Sequence, residues 1–451
     1  MERPIAVNNG RENFGYPSAP ARLTVRTILQ ALNPKMRIAA LSFLSLAVAL
    51  MASPLVRAED APPTPNMVSV VSPPYCSEIW GRTTISFVAP GLKTATIKCW
   101  KQGPGFGTDS VIGTVNLDMN GKGSVVFPAD DYPHGPITVR ITGTNGDVHD
   151  DCYLQLYNKG GVSWNEGIPR TAPPAAAGMK LVFADDFNRP LSISSTDSSA
   201  TYYDHKPPNG SQDFSSLPFS GFNSPKNPFL QVGNYLRIRA DANKNSAGLI
   251  SSEKNDASGI KVSMPCYFEC RFIGPNAPGT WPAFWLLTDY MTDVKHGKSD
   301  TSIPVDELDI IEAVGGEGPG EPNATGDPKF ADLYQITPHA WNQPENKALE
   351  DAAYKDMHDP ISMSKAGVPS AWWESFHIYG CKVTETDTIY YLDNIEVARH
   401  PTLPTSEKYP LFFLINLATG GGWPTNLSRY NGLADMYVDY VRVYDQTGEP
   451  K

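Results

Sequence analysis

Val305-Asp306-Glu307-Leu308-Asp309-Ile310-Ile311-Glu312-Ala313 alternates acidic with aliphatic residues, and the alternation breaks at one point. Residues two apart in a β-strand share a face, so Glu307 and Asp309 point one way while Leu308 and Ile310 point into a core. Strict alternation would then set Ile311 beside the acids and Glu312 in the hydrophobic layer, where a lone carboxylate is costly. A β-bulge resolves the conflict: one extra residue shifts the register and returns Glu312 to the acidic face. The stretch therefore reads as a strand with one apolar and one acidic side, three carboxylates lining a single strip.

Short β-type runs surround it. KLVFADDF, NYLRIRA, CYFECRFI, AFWLL, SFHIYGCKV, TIYYLDN, LFFLINLA and MYVDYVRVY fall between Met179 and about Tyr444, and no helical period persists for more than a few turns. Strands without intervening helices over such a length predict one large all-β, two-sheet sandwich. The Pro- and Gly-punctuated stretches 202–226 and 315–371 read as long loops, the usual place for binding on a rigid sheet.

The whole chain agrees with that class. It has 451 residues, which favours two domains; 41% are hydrophobic and 19% charged, and Pro (41) and Gly (37) are abundant. Collagen, coiled coil and multi-span membrane protein are disfavoured. The net charge of −11 argues against a nucleic-acid partner, because phosphate contacts need clustered Lys and Arg. The long apolar run, 38–52, is short for a membrane span. Lys35 and Arg37 precede it and Val56-Arg57-Ala58 follows, the layout of a signal peptide cut after Ala58. Residues 1–58 are thus set aside as an upstream extension and signal, with Met36 an alternative start, and a secreted or periplasmic mature chain without a membrane span is expected. That segment carries seven basic and two acidic residues against 37 and 48 in the whole, so the mature chain has a net −16.

After a leader at 59–67, the region 68–158 holds TTISFVA, TATIKCW, VIGTVNLD, GSVVFP, PITVRITG and CYLQLY at roughly ten-residue spacing with Gly, Pro and Asn-Gly turns between them. This predicts a small immunoglobulin-like β-sandwich. Trp80 and Trp100 read as core residues of a spacer module, with sugar binding as the alternative. Residues 159–178, rich in Gly, Pro and Ala, read as a linker to a domain at 179–446. An oxidising compartment permits disulfides among the six cysteines. Cys266 and Cys270, four apart on a strand, are too far apart to bond each other, and the expectation is one bridge per domain, with Cys381 reaching one of that pair. No CxxC or His-rich spacing supports zinc.

Three crowded carboxylates raise at least one pKa, and a protonated acid beside an ionised carboxylate is the equipment for cleaving a glycosidic bond. On spacing alone, a solvated acidic strip is an equal alternative. The string Glu307-Leu-Asp309-Ile-Ile-Glu312 resembles the E-x-D-x-x-E signature of glycoside hydrolase family 16 in its bulged, laminarinase-like form. Leu181-Val-Phe-Ala-Asp-Asp-Phe-Asn188 and Trp281-Pro-Ala-Phe-Trp-Leu-Leu287 resemble the family's opening strand and the segment before its active strand. Phe376-His-Ile-Tyr-Gly380, Ile389-Tyr-Tyr-Leu-Asp393, Asn416-Leu-Ala-Thr-Gly-Gly-Gly-Trp-Pro424 and Tyr437-Val-Asp-Tyr-Val-Arg-Val-Tyr444 resemble the segments that follow, in the same order. Val305 stands where some members carry an aromatic, and Asn394 replaces the usual turn Gly, a position Asn tolerates.

The resemblance implies a β-jelly-roll (concanavalin-like) domain with a cleft across its concave sheet. It also implies double displacement with retention, with Glu307 as nucleophile, Asp309 as assisting residue and Glu312 as acid/base. A neutral glycan cleft needs aromatic faces and polar groups, so Trp281, Trp285, His377, Asn416 and Trp423 are the expected substrate contacts. No cofactor is required; Asp186 and Asp439, in the opening and closing strands, are where the family often holds a structural Ca²⁺. The expected activity is endo-hydrolysis of β-1,3- or mixed β-1,3/1,4-glucan by a monomer with a polysaccharide partner. The rivals are a family member acting on an exopolysaccharide or agar-type galactan, a transglycosylase, and a non-catalytic glycan-binding protein. The last typically lacks one of the three acids, all of which this chain keeps.

Overall fold

The strand stretches between Met179 and Tyr444 close into two stacked antiparallel sheets. The computed structural model describes residues 64–101, 107–208, 214–316, 333–343 and 360–448. The expected signal and cleavage site lie outside the described residues. The first eight strands are β1 (Ser69–Ser72), β2 (Ser77–Ile79), β3 (Arg82–Val88), β4 (Thr94–Lys101), β5 (Thr108–Asn116), β6 (Lys122–Pro128), β7 (Gly135–Asn145) and β8 (Val148–Asn158). They make a three-stranded sheet, β1-β3-β6, and a five-stranded one, β2-β8-β7-β4-β5.

The next strands are β9 (Lys180–Asp185), β10 (Phe229–Val232), β11 (Tyr235–Asp241), β12 (Gly248–Ser251), β13 (Lys261–Val262), β14 (Cys266–Ile273), β15 (Thr280–Thr288) and β16 (Val305–Glu312). They are followed by β17 (Leu333–Trp341), β18 (Ile361–Ser362), β19 (His377–Val383), β20 (Asp387–Leu392), β21 (Ile395–Pro401), β22 (Leu411–Thr419) and β23 (Leu433–Asp445). One sheet runs β10-β11-β23-β14-β19-β20-β21 with β9 also on β23; the other runs β12-β22-β15-β16-β17-β18 with β13 also on β22. The all-β, two-sheet sandwich expected of this region is what forms. The one α-helix among the described residues, α1 (Met291–Lys295), is five residues long. No described helix is long and apolar enough to cross a membrane.

Alternation sorts each strand of the smaller sheet between two environments. Leu308 and Ile310 of β16, Phe284 and Leu286 of β15, and Phe413 and Ile415 of β22 fill the core between the sheets. Their neighbours Ala283, Trp285, Leu287, Phe412 and Leu414 form a second apolar layer on the opposite face, under the carboxylates. The bulge is present: Asp309 and Glu312 face Thr337 and Gln335 of β17, and on the other side Phe284 and Trp285 face Ile311 and Asp309. One extra residue at Ile310–Ile311 lets both isoleucines stay buried while Glu312 leaves the core. Asp393 and Asn394 turn β20 into β21 at φ 48° and 67°, the left-handed geometry Asn tolerates.

Three expectations change. All six cysteines are free thiols. Cys381 lies opposite Phe268, two positions from both Cys266 and Cys270, and such diagonal neighbours are about 7–8 Å apart, beyond disulfide reach. The stretch 315–371, expected as loop, contains β17, whose alternation is masked by Pro338; β18 covers only Leu333 and Tyr334, so Pro338 sits on an edge, where proline is tolerated. Trp100 is buried as expected of a core residue, but Trp80 is 66% exposed.

The described residues, from 64 onward, belong to one compact unit. Trp164 packs on Phe376 and under the Arg271 guanidinium, and Arg442 donates to the carbonyls of Pro169 and Thr171. The segment expected as a linker thus lies along the outer face of the larger sheet. From β8, Gln155 exchanges two hydrogen bonds with the main chain of Asp435, and Asp150 accepts from Arg429 at 2.9 and 3.1 Å.

Candidate active site

The acidic face of β16 opens into a cavity of about 660 Å³. Glu307, Asp309 and Glu312 all line it, as do Trp281 and Trp285 of β15, Asn416 of β22, and His339 and Trp341 of β17. Pairing of β16 with β17 places His339 opposite Glu307 and Trp341 opposite Val305, so these side chains share the acidic face.

Each carboxylate has a distinct setting. Glu307 accepts a hydrogen bond from Trp341 Nε1 at 3.0 Å, which fixes its direction. Asp309 is buried, and His339 Nε2 lies 3.6 Å from its Oδ2. Desolvation pushes the Asp309 carboxyl well above the ordinary range, with repulsion from Glu312 and Glu307 adding to the rise. Glu312 accepts from Trp281 Nε1 at 3.2 Å and Thr337 Oγ1 at 3.3 Å. Burial first, then the field of Glu307, pushes its carboxyl up to about 7. A proton is therefore held on the row near neutral pH, as the crowding in the sequence predicts.

That proton has a stability consequence. Between the ordinary value of 4.5 and about 7, the folded chain keeps a proton on Glu312 that the unfolded chain has released, so stability falls as pH rises through this window. Glu312→Gln removes the loss and is expected to gain about 1–2 kcal/mol over the wild type at pH 8, with little gain at pH 4. Urea unfolding at the two pH values checks this, and equal midpoints at pH 8 would contradict it.

The expected substrate contacts divide. Trp281, Trp285 and Asn416 reach the cavity, but Asn416 is fully buried and its carboxamide is engaged, accepting from Trp285 Nε1 at 2.8 Å and donating to Trp281 O at 3.2 Å. It holds the two tryptophans in place. Gly421 lies against the Trp281 ring, where a Cβ would come within 2.8 Å of Cε3, which explains the glycine at that position. Trp423, half-buried after that triplet, does not line the cavity.

His377 is a correction. It lies on β19 of the other sheet, 1% exposed, sharing the inward face with Tyr379, Cys381 and Val383. Its Nδ1 is 2.7 Å from Asp393 Oδ2 and its Nε2 3.1 Å from Ser370 Oγ. Alternation with Phe376 and Ile378 suggests a polar side for His377, but the outer face is itself covered: Phe376 packs there against Trp164 and Tyr235.

Asp186 and Asp439 do not make a calcium cage. Asp439 accepts from Gly167 N at 2.8 Å and faces Arg271 Nη1 at 3.4 Å, a cation where Ca²⁺ would need oxygen ligands. Asp186 accepts from Asn188 Nδ2 at 3.0 Å.

Sequence reasoning missed His339, Trp341 and Lys206. The first two carried a signal in the alternation of Leu333-Tyr-Gln-Ile-Thr-Pro-His-Ala-Trp341; Lys206 carried none, since it reaches the cavity from a loop a hundred residues before β16.

No family model matches the chain. It is 30% identical over 233 residues to endo-1,3-1,4-β-glycanase EglC of Rhizobium meliloti (strain 1021), covering 48% of this chain and 40% of that protein. It is 30% identical over 183 residues to endo-1,3-1,4-β-glycanase ExsH of the same organism, covering 40% of this chain and 30% of that one. Glucan endo-1,3-β-glucosidase A1 of Niallia circulans is 27% identical over 318 residues, 63% of this chain and 41% of that relative. The chain thus spans less than half the length of these relatives. A laminarinase from Flavobacterium sp. UMI-01 aligns over 59% of this chain and 100% of its own at 19% identity and a TM-score of 0.40; the two-sheet architecture stands on the strand pairing itself. The similarity to endo-β-glucanases, joined to a bulged strand that presents three carboxylates to one cavity, bears out the resemblance to glycoside hydrolase family 16 in its laminarinase-like form.

Proposed function

We propose that this chain is a secreted, retaining endo-β-glycanase that hydrolyses β-1,3- or mixed β-1,3/1,4-glucan, acting as a monomer. The observation that carries the reading is the carboxylate row: Glu307 oriented by Trp341, and Glu312 carrying a proton up to about pH 7, on one wall of one cavity. Glu307 attacks the anomeric carbon as the bond to the leaving oxygen breaks, and the Glu312 proton passes to that oxygen. Glu312, now a carboxylate, takes a proton from water as the water oxygen displaces Glu307 from the anomeric carbon. Two inversions at one carbon give net retention.

Asp309, buried between the two glutamates and beside His339, sets the charge of the row without touching the leaving group. The indole of Trp341, 48% exposed and stacked on His339 with ring centroids 4.8 Å apart, offers a flat face to a sugar ring next to the nucleophile. Names of the relatives point the same way: two are called endo-1,3-1,4-β-glycanases.

The test is proton NMR of a fresh digest of mixed-linked β-glucan. The β anomer of the new reducing end should appear first and mutarotate to the mixture. An initial α anomer would refute double displacement, and no new reducing ends across a panel of β-glucans would refute hydrolysis.

A further inference from the structure

Buried cations in this fold are met by carboxylates: Lys261 by Glu253 and Asp289, both at 2.6 Å, Arg429 by Asp150 and Arg442 by Glu269. Lys206, half-buried in the cavity wall, is different. Among the described residues no carboxylate lies within ion-pair distance of its Nζ, although three line the same cavity; the ammonium sits 5.9 Å over the Trp285 ring. Its field reaches Asp309 and works against the rise that burial imposes on that carboxyl, but no ion pair forms; a half-buried charge without one is costly, and here it faces the space where a ligand would lie.

Its position is built. On one side, the backbone of Tyr203 exchanges hydrogen bonds with Ser251 at 2.8 and 2.9 Å, and the buried Asp204 takes His205 Nδ1 and Phe222 N, each at 2.7 Å. On the other, Tyr290, itself a cavity wall, donates its hydroxyl to Pro207 O. The residues on both sides of Lys206 are thus tied to the sandwich, which fixes the stretch of backbone from which its side chain reaches the cavity. Hydroxyl recognition does not require a cation; neutral polar groups serve it, and indole faces take the apolar side of a sugar ring.

We propose that Lys206 pairs with a singly charged anionic substituent, a carboxylate, on the glucan, so that the cavity prefers a carboxylate-bearing β-glucan over a neutral one. One ammonium with acids beyond it has nothing to offer a second negative charge. The inference deepens the hydrolase reading and rests on it for the identity of the polymer. The carboxylate can sit on a pendant half-ester or in a uronate ring, and both present the same group to Nζ.

The experiment compares three mixed-linked β-glucan oligosaccharides: neutral, carrying pendant hemisuccinates, and oxidised at C6 to uronates. For the wild type, kcat/KM should be roughly tenfold higher on one of the two carboxylated forms than on the neutral one, and the ratio should shrink in 0.5 M salt. Lys206→Met should lose about that same factor on the preferred carboxylated form beyond whatever it loses on the neutral form. Which of the two forms is preferred identifies the source of the carboxylate. An equal loss on all three glucans, with a shifted pH profile, would show that Lys206 serves the carboxylate row and would overturn the proposal. So would a wild type that favours the neutral form. Calorimetric titration of the same oligosaccharides into Glu307→Gln reads the preference without turnover. A binding preference with no hydrolysis would sink the hydrolase reading alone, and hydrolysis with no preference would sink the inference alone.

Discussion

Glu307→Gln is expected to lower kcat on a soluble β-glucan by at least about a thousandfold while leaving the fold intact, because in the proposed double displacement Glu307 is the nucleophile and the covalent route is lost with it. Glutamine keeps an oxygen that accepts from Trp341 Nε1, now 3.0 Å from Glu307 Oε2, and adds no volume. It also removes one of the charges that raise the Asp309 and Glu312 carboxyls, so both should titrate lower in the variant. Unfolding free energy should change by no more than about 0.5 kcal/mol. Steady-state kinetics with circular dichroism of the same preparation checks both halves. Retention of most activity by a folded variant would remove Glu307 from the nucleophile role.

Asp150→Ala should cost about 3–5 kcal/mol of stability, the largest structural loss among single substitutions on the seam between β8 and the two-sheet sandwich. Arg429 is nearly buried and holds Asp150 through two hydrogen bonds, with a third to the carbonyl of Asp151. Asp150 also accepts from Val68 N at 2.7 Å. Burial lifts its carboxyl above the ordinary range in spite of the guanidinium, so the pair as a whole contributes little; stripping one partner, however, leaves a buried cation and an orphan amide. Asn at the same position keeps an acceptor and should lose less. Urea midpoints of the two variants decide the matter: a loss under about 1 kcal/mol for the alanine variant would mean that the first eight strands and the sandwich are energetically independent.

Local rules made most of the fold legible. Strand stretches such as CYFECRFI and LFFLINLA form where short apolar runs end in turn residues, and Asp393-Asn394 turns where a left-handed pair is tolerated. The bulge was legible for a reason internal to nine residues: without it, a carboxylate lies in the core. Other features were hidden because they depend on what packs from elsewhere. β17 has a strand's alternation, but Pro338 reads as a breaker until the sheet shows that position to be an edge. Alternation placed His377 correctly relative to Phe376 and left open which side was inside; the covering of the outer face by Trp164 inverted the answer.

Periodicity within the sequence was enough to show that the region 179–446 is a two-sheet β-sandwich and that Glu307, Asp309 and Glu312 share one face, because strand alternation and the cost of a buried charge act over a few neighbouring residues. Which residues meet those acids follows from long-range packing. Trp341 reaches Glu307 through strand pairing, Lys206 reaches the cavity from a distant tethered loop, and Asn416 closes on the tryptophans from β22. Contacts of that range depend on register and on which faces are already covered, and neither is written in local periodicity.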